Sequence, residues 1–176
     1  MSVSLSVRPA TAADVPALVA LVNSAFRGDS SRAGWSTEAD LLDGIRVDEA
    51  RVQEGLGSAS QVTLVHEAEG HIVACVNVQR TGKGAYLGML TTKPTLQAQG
   101  LGRAMVREAE AWAVREWQST EMRMTVIVQR PELVAWYERQ GYAQTGEQQP
   151  FPYGDERWGI PKRPDLEFVV LRKGLT

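Results

Sequence analysis

The sequence predicts a mixed α+β fold, a mostly antiparallel sheet with helices on both faces. Apolar residues recur at helical spacing near the N-terminus and again over residues 101–117. Between them lie three short strand-like runs separated by glycine-bearing turns, the pattern of antiparallel hairpins. One of these runs, 71–79, is apolar at odd and even positions alike, so both faces of the sheet must be covered.

Residues 4–9 read as a short first strand. A helix follows, opened by Thr11 or Asp14; Asp14 and Pro16 stand where free N–H groups favour an acid and tolerate a proline. Val15, Leu18, Val19, Val22 and Phe26 form its buried stripe. The polar stretch 27–37 is a loop, after which Ser36 or Thr37 is expected to cap a second helix over 38–47, with a third short helical piece through Glu54. Beyond Leu56 and Gly57 the period becomes two, and 61–67, 71–79 and 85–92 are strands. The strongest helix is 101–117, with Leu101, Ala104, Met105, Ala109, Trp112 and Ala113 on one stripe. Residues 122–128 make a central strand; Pro131 opens a helix over 132–140 that Gly141 stops. Strands 142–146 and 166–171 finish the sheet. The stretch between them, 147–164, carries four of the eight prolines and little periodicity, and a loop of that length is more often functional than idle.

A chain of 176 residues suits one domain, taken here as 1–176. The net charge of −2, from 19 basic and 21 acidic residues without long runs, lacks the footprint of a nucleic-acid binder. The start has no basic segment followed by a long apolar one, and no apolar run approaches a membrane span. A cytoplasmic protein is expected, with no nucleic-acid or membrane partner. Cys75, among Val73, Ala74 and Val76, reads as a small core residue. With His66 and His71 it cannot make a zinc site alone, so no metal is expected.

The chemistry concentrates in LTTKPTLQAQGLGRA, residues 90–104. An apolar strand runs into Pro94, then a glycine turn, then at once a strong helix. Gly100 and Gly102 permit close backbone approach, and the free N–H groups of the first helical turn favour an anion such as a pyrophosphate. Gly102-Arg103-Ala104 is not the Gly-Lys-Ser/Thr of a P-loop. Nor does Gly100-x-Gly102 followed by Met105 complete a dinucleotide fingerprint, which also needs a βαβ setting. The pattern Q/R-x-x-G-x-G/A is matched in full by residues 97–102.

On these residues the chain resembles the GNAT superfamily of CoA-dependent N-acetyltransferases. Pro94 stands three residues before Gln97, and AWYERQGY, residues 135–142, is similar to the family's A-L-Y-E-x-x-G-F. The resemblance runs through most of the chain in element order and is sharpest over 87–146. It implies a GNAT-like acyl-CoA N-acyltransferase fold, acetyl-CoA as co-substrate, and a splayed strand pair that receives the pantetheine arm. Leu90, Thr91 and Thr92 match the strand residues that pair with pantetheine; Gln97, Ala98, Gln99, Gly100, Leu101, Gly102 and Arg103 match the pyrophosphate loop. Tyr137 matches the helical tyrosine by the thioester sulfur, where a phenol of ordinary pKa about 10 can protonate a departing thiolate. A core aromatic beside Trp136 is the plainer alternative for it.

Two positions depart from the family. Arg130 stands where many members have an asparagine that touches CoA, and Thr125 where some have a glutamate base. The base is therefore unassigned, with Asp29, Glu38 and Glu67 the carboxylates to examine first. His66 reads as a buried or strand-end residue. Arg27, Arg32 and Trp35 lie in the loop that borders the acceptor site in GNAT-like folds, Trp35 being the better substrate contact, while Asp155, Glu156 and Arg157 read as solvated. The expected reaction is transfer from acetyl-CoA to the primary amine of a small molecule or amino acid. A peptide N-terminus or lysine as acceptor, or a non-catalytic acyl-CoA-binding module, are the alternatives, and a homodimer is left open.

Overall fold

The computed structural model describes residues 5–34, 37–97 and 99–176, with the backbone alone for Asp29 and Ala33. Strand β1 (Val7–Pro9) passes through one 3-10 turn (Ala12–Asp14) into α1 (Val15–Phe26). Asp14 secures this entry, since its carboxylate accepts from the Thr11 N–H at 2.7 Å and pairs with Arg8 at 2.7 Å. There follow β2 (Leu42–Asp43), α2 (Glu49–Leu56), β3 (Gln61–Ala68), β4 (His71–Thr81) and β5 (Gly84–Thr92). The C-terminal half supplies α3 (Leu101–Trp117), β6 (Glu121–Ile127), α4 (Pro131–Arg139), β7 (Ala143–Pro150), β8 (Ile160–Pro161) and β9 (Glu167–Gly174).

Seven strands form one sheet in the order β1-β3-β4-β5-β6-β9-β7; β2 and β8 make a separate pair. Every neighbour in the large sheet is antiparallel except β5 and β6. The doubly apolar pattern of β4 has the expected cause. Ala74, Val76 and Val78 pack with Met105 of α3 and Tyr137 of α4, while Cys75 packs on the other face with Leu18 and Val22 of α1. Among the described residues no helix is long and apolar enough to cross a membrane.

One expected helix is absent. Residues 38–47 make a single turn at Glu38, where the N–H groups of Leu41 and Leu42 both reach the Glu38 carbonyl, and then the short β2. Tertiary bonds override the helical spacing. The Asn23 side chain accepts from the N–H groups of Arg46 and Val47 and donates to the Val47 carbonyl at 3.0 Å, and Gly44 sits at φ +81°. The helix forms later, as α2, where Asp48 caps it by accepting from the Arg51 N–H at 2.9 Å. The late loop is also shorter than expected. Strand β7 continues to Pro150 past a register shift between Gln144 and Gln148, and β8 pairs Pro161 with Leu42.

Candidate active site

Parallel strands β5 and β6 pair only at Ala85–Met122 and Tyr86–Arg123. Beyond these residues β5 stays with β4 as far as Thr92 and β6 stays with β9 as far as Ile127, so the two part and leave a wedge. A cleft of about 370 Å³ occupies the wedge and reaches both layers of helices. The wall on β5 is bulged. The register with β4 steps from Thr91 opposite Cys75 to Gly88 opposite Asn77, so Met89 and Leu90 share Val76. Met89 takes φ +55°, a conformation that costs a side-chain-bearing residue on the order of 1 kcal/mol. Thr91 Oγ1 and Cys75 Sγ both donate to the Met89 carbonyl, at 2.9 and 3.7 Å, which fixes the bulge.

At one end of the cleft stands the glycine turn. Gly100 caps α3 at φ +83°, a left-handed conformation suited to glycine, and no side-chain cap covers the helix start. At Gly102 a Cβ would lie in van der Waals contact with Trp136 Cζ2 at 3.4 Å and Thr92 Oγ1 at 3.7 Å, so a side chain longer than alanine would press on α4 and the end of β5. Gln97 is turned back, its Nε2 donating to the Thr92 carbonyl at 3.2 Å. Leu90, Thr92, Gln97, Gly100, Gly102 and Arg103 all line the cleft. Thr91 and Leu101 are buried off its wall, Gln99 faces solvent, and Ala98 lies outside the described residues.

Tyr137 also lines the cleft, 6 % exposed, edge-on to Trp136 at 4.9 Å and to Tyr142 at 6.0 Å. Burial pushes its hydroxyl well above the ordinary tyrosine range, with Arg130 acting weakly the other way. Opposite, the hydroxyls of Tyr86 and Thr125 meet at 2.6 Å across the point where the strands separate. Cys75 is fully buried, and desolvation raises its thiol to about 12, as suits a core residue.

The other end is built from arginines. Glu38 accepts from Arg27 Nη2 at 3.0 Å and from Arg130 Nη1 at 3.5 Å, and all three side chains are buried. Arg27 also donates to the carbonyls of Ile45 at 3.0 Å and Trp158 at 3.4 Å; desolvation lowers its pKa and Glu38 opposes that. Arg51 donates to the Arg157 carbonyl at 2.6 Å and lies over the Trp158 ring at 5.7 Å. These bonds draw the segment after β7 over this end of the cleft. Of the carboxylates named from the sequence, Glu38 alone is placed there: Glu67 pairs with Arg8, and the Asp29 side chain is outside the description. His66 Nδ1 bonds the Ser6 carbonyl at 3.1 Å, Arg32 pairs with Asp40, and Trp35 lies outside the described residues. Arg46, Arg51, Tyr86 and Trp158 line the cleft although nothing in the sequence singled them out as site residues.

The chain as a whole is similar to known proteins. The chain's residues 41–152 match the profile of the acetyltransferase (GNAT) domain family. No curated protein sequence matches the chain. Solved structures with the same fold include the ribosomal-protein-S18-alanine N-acetyltransferase of Escherichia coli, 14% identical, with TM-score 0.71, covering 98% of this chain and 95% of that one. The ribosomal-protein-alanine N-acetyltransferase of Brucella melitensis is 22% identical, with TM-score 0.71 and coverage of 97% and 100%. YncA of Salmonella typhimurium, solved with its cofactor acetyl-CoA, is 18% identical, with TM-score 0.71 and coverage of 99% and 95%. At such identities these likenesses speak for the fold, and the domain profile, which spans more than half the chain, speaks for the family. This chain belongs to the GNAT acetyltransferases, the acetyl-CoA-dependent N-acyltransferases.

Proposed function

We propose that the protein, as one domain over 1–176, transfers the acetyl group of acetyl-CoA to a primary amine of a small molecule or amino acid, by direct attack in a ternary complex. The observation that carries this reading is the parting of β5 and β6 beyond Tyr86 and Arg123, with the Gly100 turn at one end of the gap and Tyr137 on its wall. The residues suit acetyl-CoA. The uncovered first turn of α3 favours a pyrophosphate, with Arg103 beside it, and the wedge past Thr92 suits a narrow uncharged arm. When bound, acetyl-CoA supplies an acetyl group activated as a thioester.

The protein's own groups have three tasks. The bulge takes Leu90 out of the strand register, which makes its backbone N–H a donor for the carbonyl oxygen as charge builds there. Tyr137, kept protonated by burial, gives its proton to the sulfur as the C–S bond breaks and the N–C bond forms. The amine's own proton leaves to water: Thr125 cannot take it, and both Glu38 oxygens are engaged by arginines.

An alanine of a ribosomal protein is the acceptor named for two of the structural relatives. Here the segment held by Arg27 and Arg51 narrows the acceptor end and favours a small molecule. Free-thiol release from acetyl-CoA, measured over a panel of small amines and alanine-first peptides, tests the reading. Release with peptides alone would replace the acceptor class, and acetyl-CoA binding without release on any acceptor would leave a binding module.

A further inference from the structure

The chain is slightly acidic, yet its cleft is not. Among the described residues the charged side chains on the cleft wall are Arg27, Arg46, Arg51, Arg103 and Arg130 against Glu38 alone. Arg103 belongs to the glycine turn; the other four stand at the acceptor end. There the fold buries two guanidiniums around one carboxylate, with Arg130 3 % exposed and Glu38 8 %. Buried charges are ordinarily matched and their donors satisfied. In this cluster the balance is one positive charge in excess, and Arg27 Nε, Arg130 Nε and Arg130 Nη2 are buried without a hydrogen-bond partner. The remaining carboxylate near Arg130 is Glu132, 4.0 Å from Nε and largely exposed to water. Arg46 is half-buried with its guanidinium 5.9 Å from the centre of the Phe26 ring. Buried donors without partners are rare in folded proteins, and three on one cluster point to an anionic ligand.

We infer that the acceptor amine carries a carboxylate, and that Arg130, with Arg27 and Arg46, binds it while the amine reaches into the wedge between β5 and β6. This rests on the proposed transfer to a small amine. The arginines at this wall outnumber the one carboxylate among them, which calls for an anion on the acceptor. The guanidinium fork also presents paired N–H groups that match two carboxylate oxygens. The lining also holds neutral polar groups, with Asn77 Nδ2 donating to Gln61 Oε1 at 3.2 Å and to Thr63 Oγ1 at 3.1 Å. The enclosing rings are Phe26, Phe151, Trp158 and Phe168, which exclude water and strengthen a charged contact.

The test pairs each L-amino acid with the amine that lacks its carboxylate, and compares kcat/KM per unprotonated amine by thiol release on the intact protein. The acids should be preferred by at least about 100-fold for the best pair, the scale on which a buried charged contact discriminates. In Arg130→Gln, KM for the acid should rise at least about tenfold and the preference for the acid over its carboxylate-free partner should shrink by a similar factor, while acetyl-CoA affinity by calorimetry falls by much less. Arg46→Gln, at a half-buried position, should move the same ratio in the same direction if Arg130→Gln does not fold. Equal kcat/KM for acids and their carboxylate-free partners would overturn the inference while leaving the transferase intact. So would an Arg130→Gln protein that loses acetyl-CoA affinity by the factor it loses turnover, since that arginine would then hold the co-substrate. Thiol release with no member of the panel, acetyl-CoA being bound, would overturn the transferase reading and the inference with it.

Discussion

Tyr137→Phe separates a catalytic hydroxyl from a core aromatic. The ring sits in the larger core, edge-on to Trp136 at 4.9 Å and Tyr142 at 6.0 Å, and phenylalanine keeps both contacts. Its hydroxyl makes no hydrogen bond to another described residue, so deleting it strands no partner and stability should change by less than about 1 kcal/mol. Acetyl-CoA affinity should hold within about twofold, because the proton is needed only as sulfur acquires charge. Turnover is a different matter. A positioned general acid is worth about 10²–10⁴ in rate, or roughly 3–5 kcal/mol of barrier. Burial also holds the hydroxyl protonated well past the usual tyrosine range, so the wild type should show no falling limb from this group up to about pH 10. The assay is steady-state thiol release with a melting curve and calorimetry on the same preparation. The loss should lie in kcat with KM nearly constant. A folded Tyr137→Phe protein with undiminished kcat would refute the assignment and give the proton to solvent.

Gly102→Val should weaken acetyl-CoA binding at least tenfold, about 1.4 kcal/mol, because the added methyls enter the contact of α3 with Trp136 and Thr92; Gly100→Val adds the strain of φ +83°, and calorimetry on folded proteins reads both. Among the described residues no free carboxylate faces the wedge, so the rising limb of the pH–rate profile should follow the pKa of each amine supplied; a limb fixed across amines would reveal an enzymic base, with Glu38 the first to replace. The Arg8 guanidinium, hydrogen-bonded to Asp14, holds that carboxyl down at about 2, so its contribution is present above about pH 4 and is lost as pH falls through 2. Asp14→Asn should cost about 1 kcal/mol at neutral pH in denaturant melts and nothing at the acid extreme. The Cys75 thiol, raised to about 12 by desolvation, should resist iodoacetamide at pH 8 in the native protein and react on unfolding; native labelling at the free-thiol rate would contradict its burial.

The glycine turn and the helix that follows it were legible because their geometry is written locally. Gly100 and Gly102 answer to backbone conformation and to close helix approach, needs that leave a mark within a few residues. Helix α3 emerged with the expected ends, since a seventeen-residue amphipathic stripe outweighs any single tertiary bond. Residues 38–47 failed for the converse reason. Their spacing is helical, but Asn23 takes the backbone of Arg46 and Val47, and Glu38 is drawn inward by two arginines. None of these partners is a neighbour in sequence. The parting of β5 and β6 was foreseen only through the family resemblance, because it depends on where pairing stops and that is settled by their other neighbours, β4 and β9.

The acceptor half was not legible, and the reason bears on substrate choice. Its charges come from the end of α1, the segment before α2, α2 itself and the residue that caps α4, so no spacing rule collects them. Composition conceals them too, since a net charge of −2 averages a basic cleft into an acidic exterior. Arg130 illustrates the difficulty. By position it replaces a cofactor-touching asparagine, yet the nearest group to its Nη1 is Glu38, fixed to the end of α1 by its backbone N–H on the Phe26 carbonyl at 2.8 Å. A guanidinium in place of a neutral amide brings a full charge as well as donors, and that charge is best met by an acidic partner once water is excluded. Glu38 supplies half of that need, being shared with Arg27. The cluster is tied through Arg27 to the Trp158 carbonyl rather than to the glycine turn, and on that ground the acceptor, rather than the co-substrate, is expected to bring the missing negative charge.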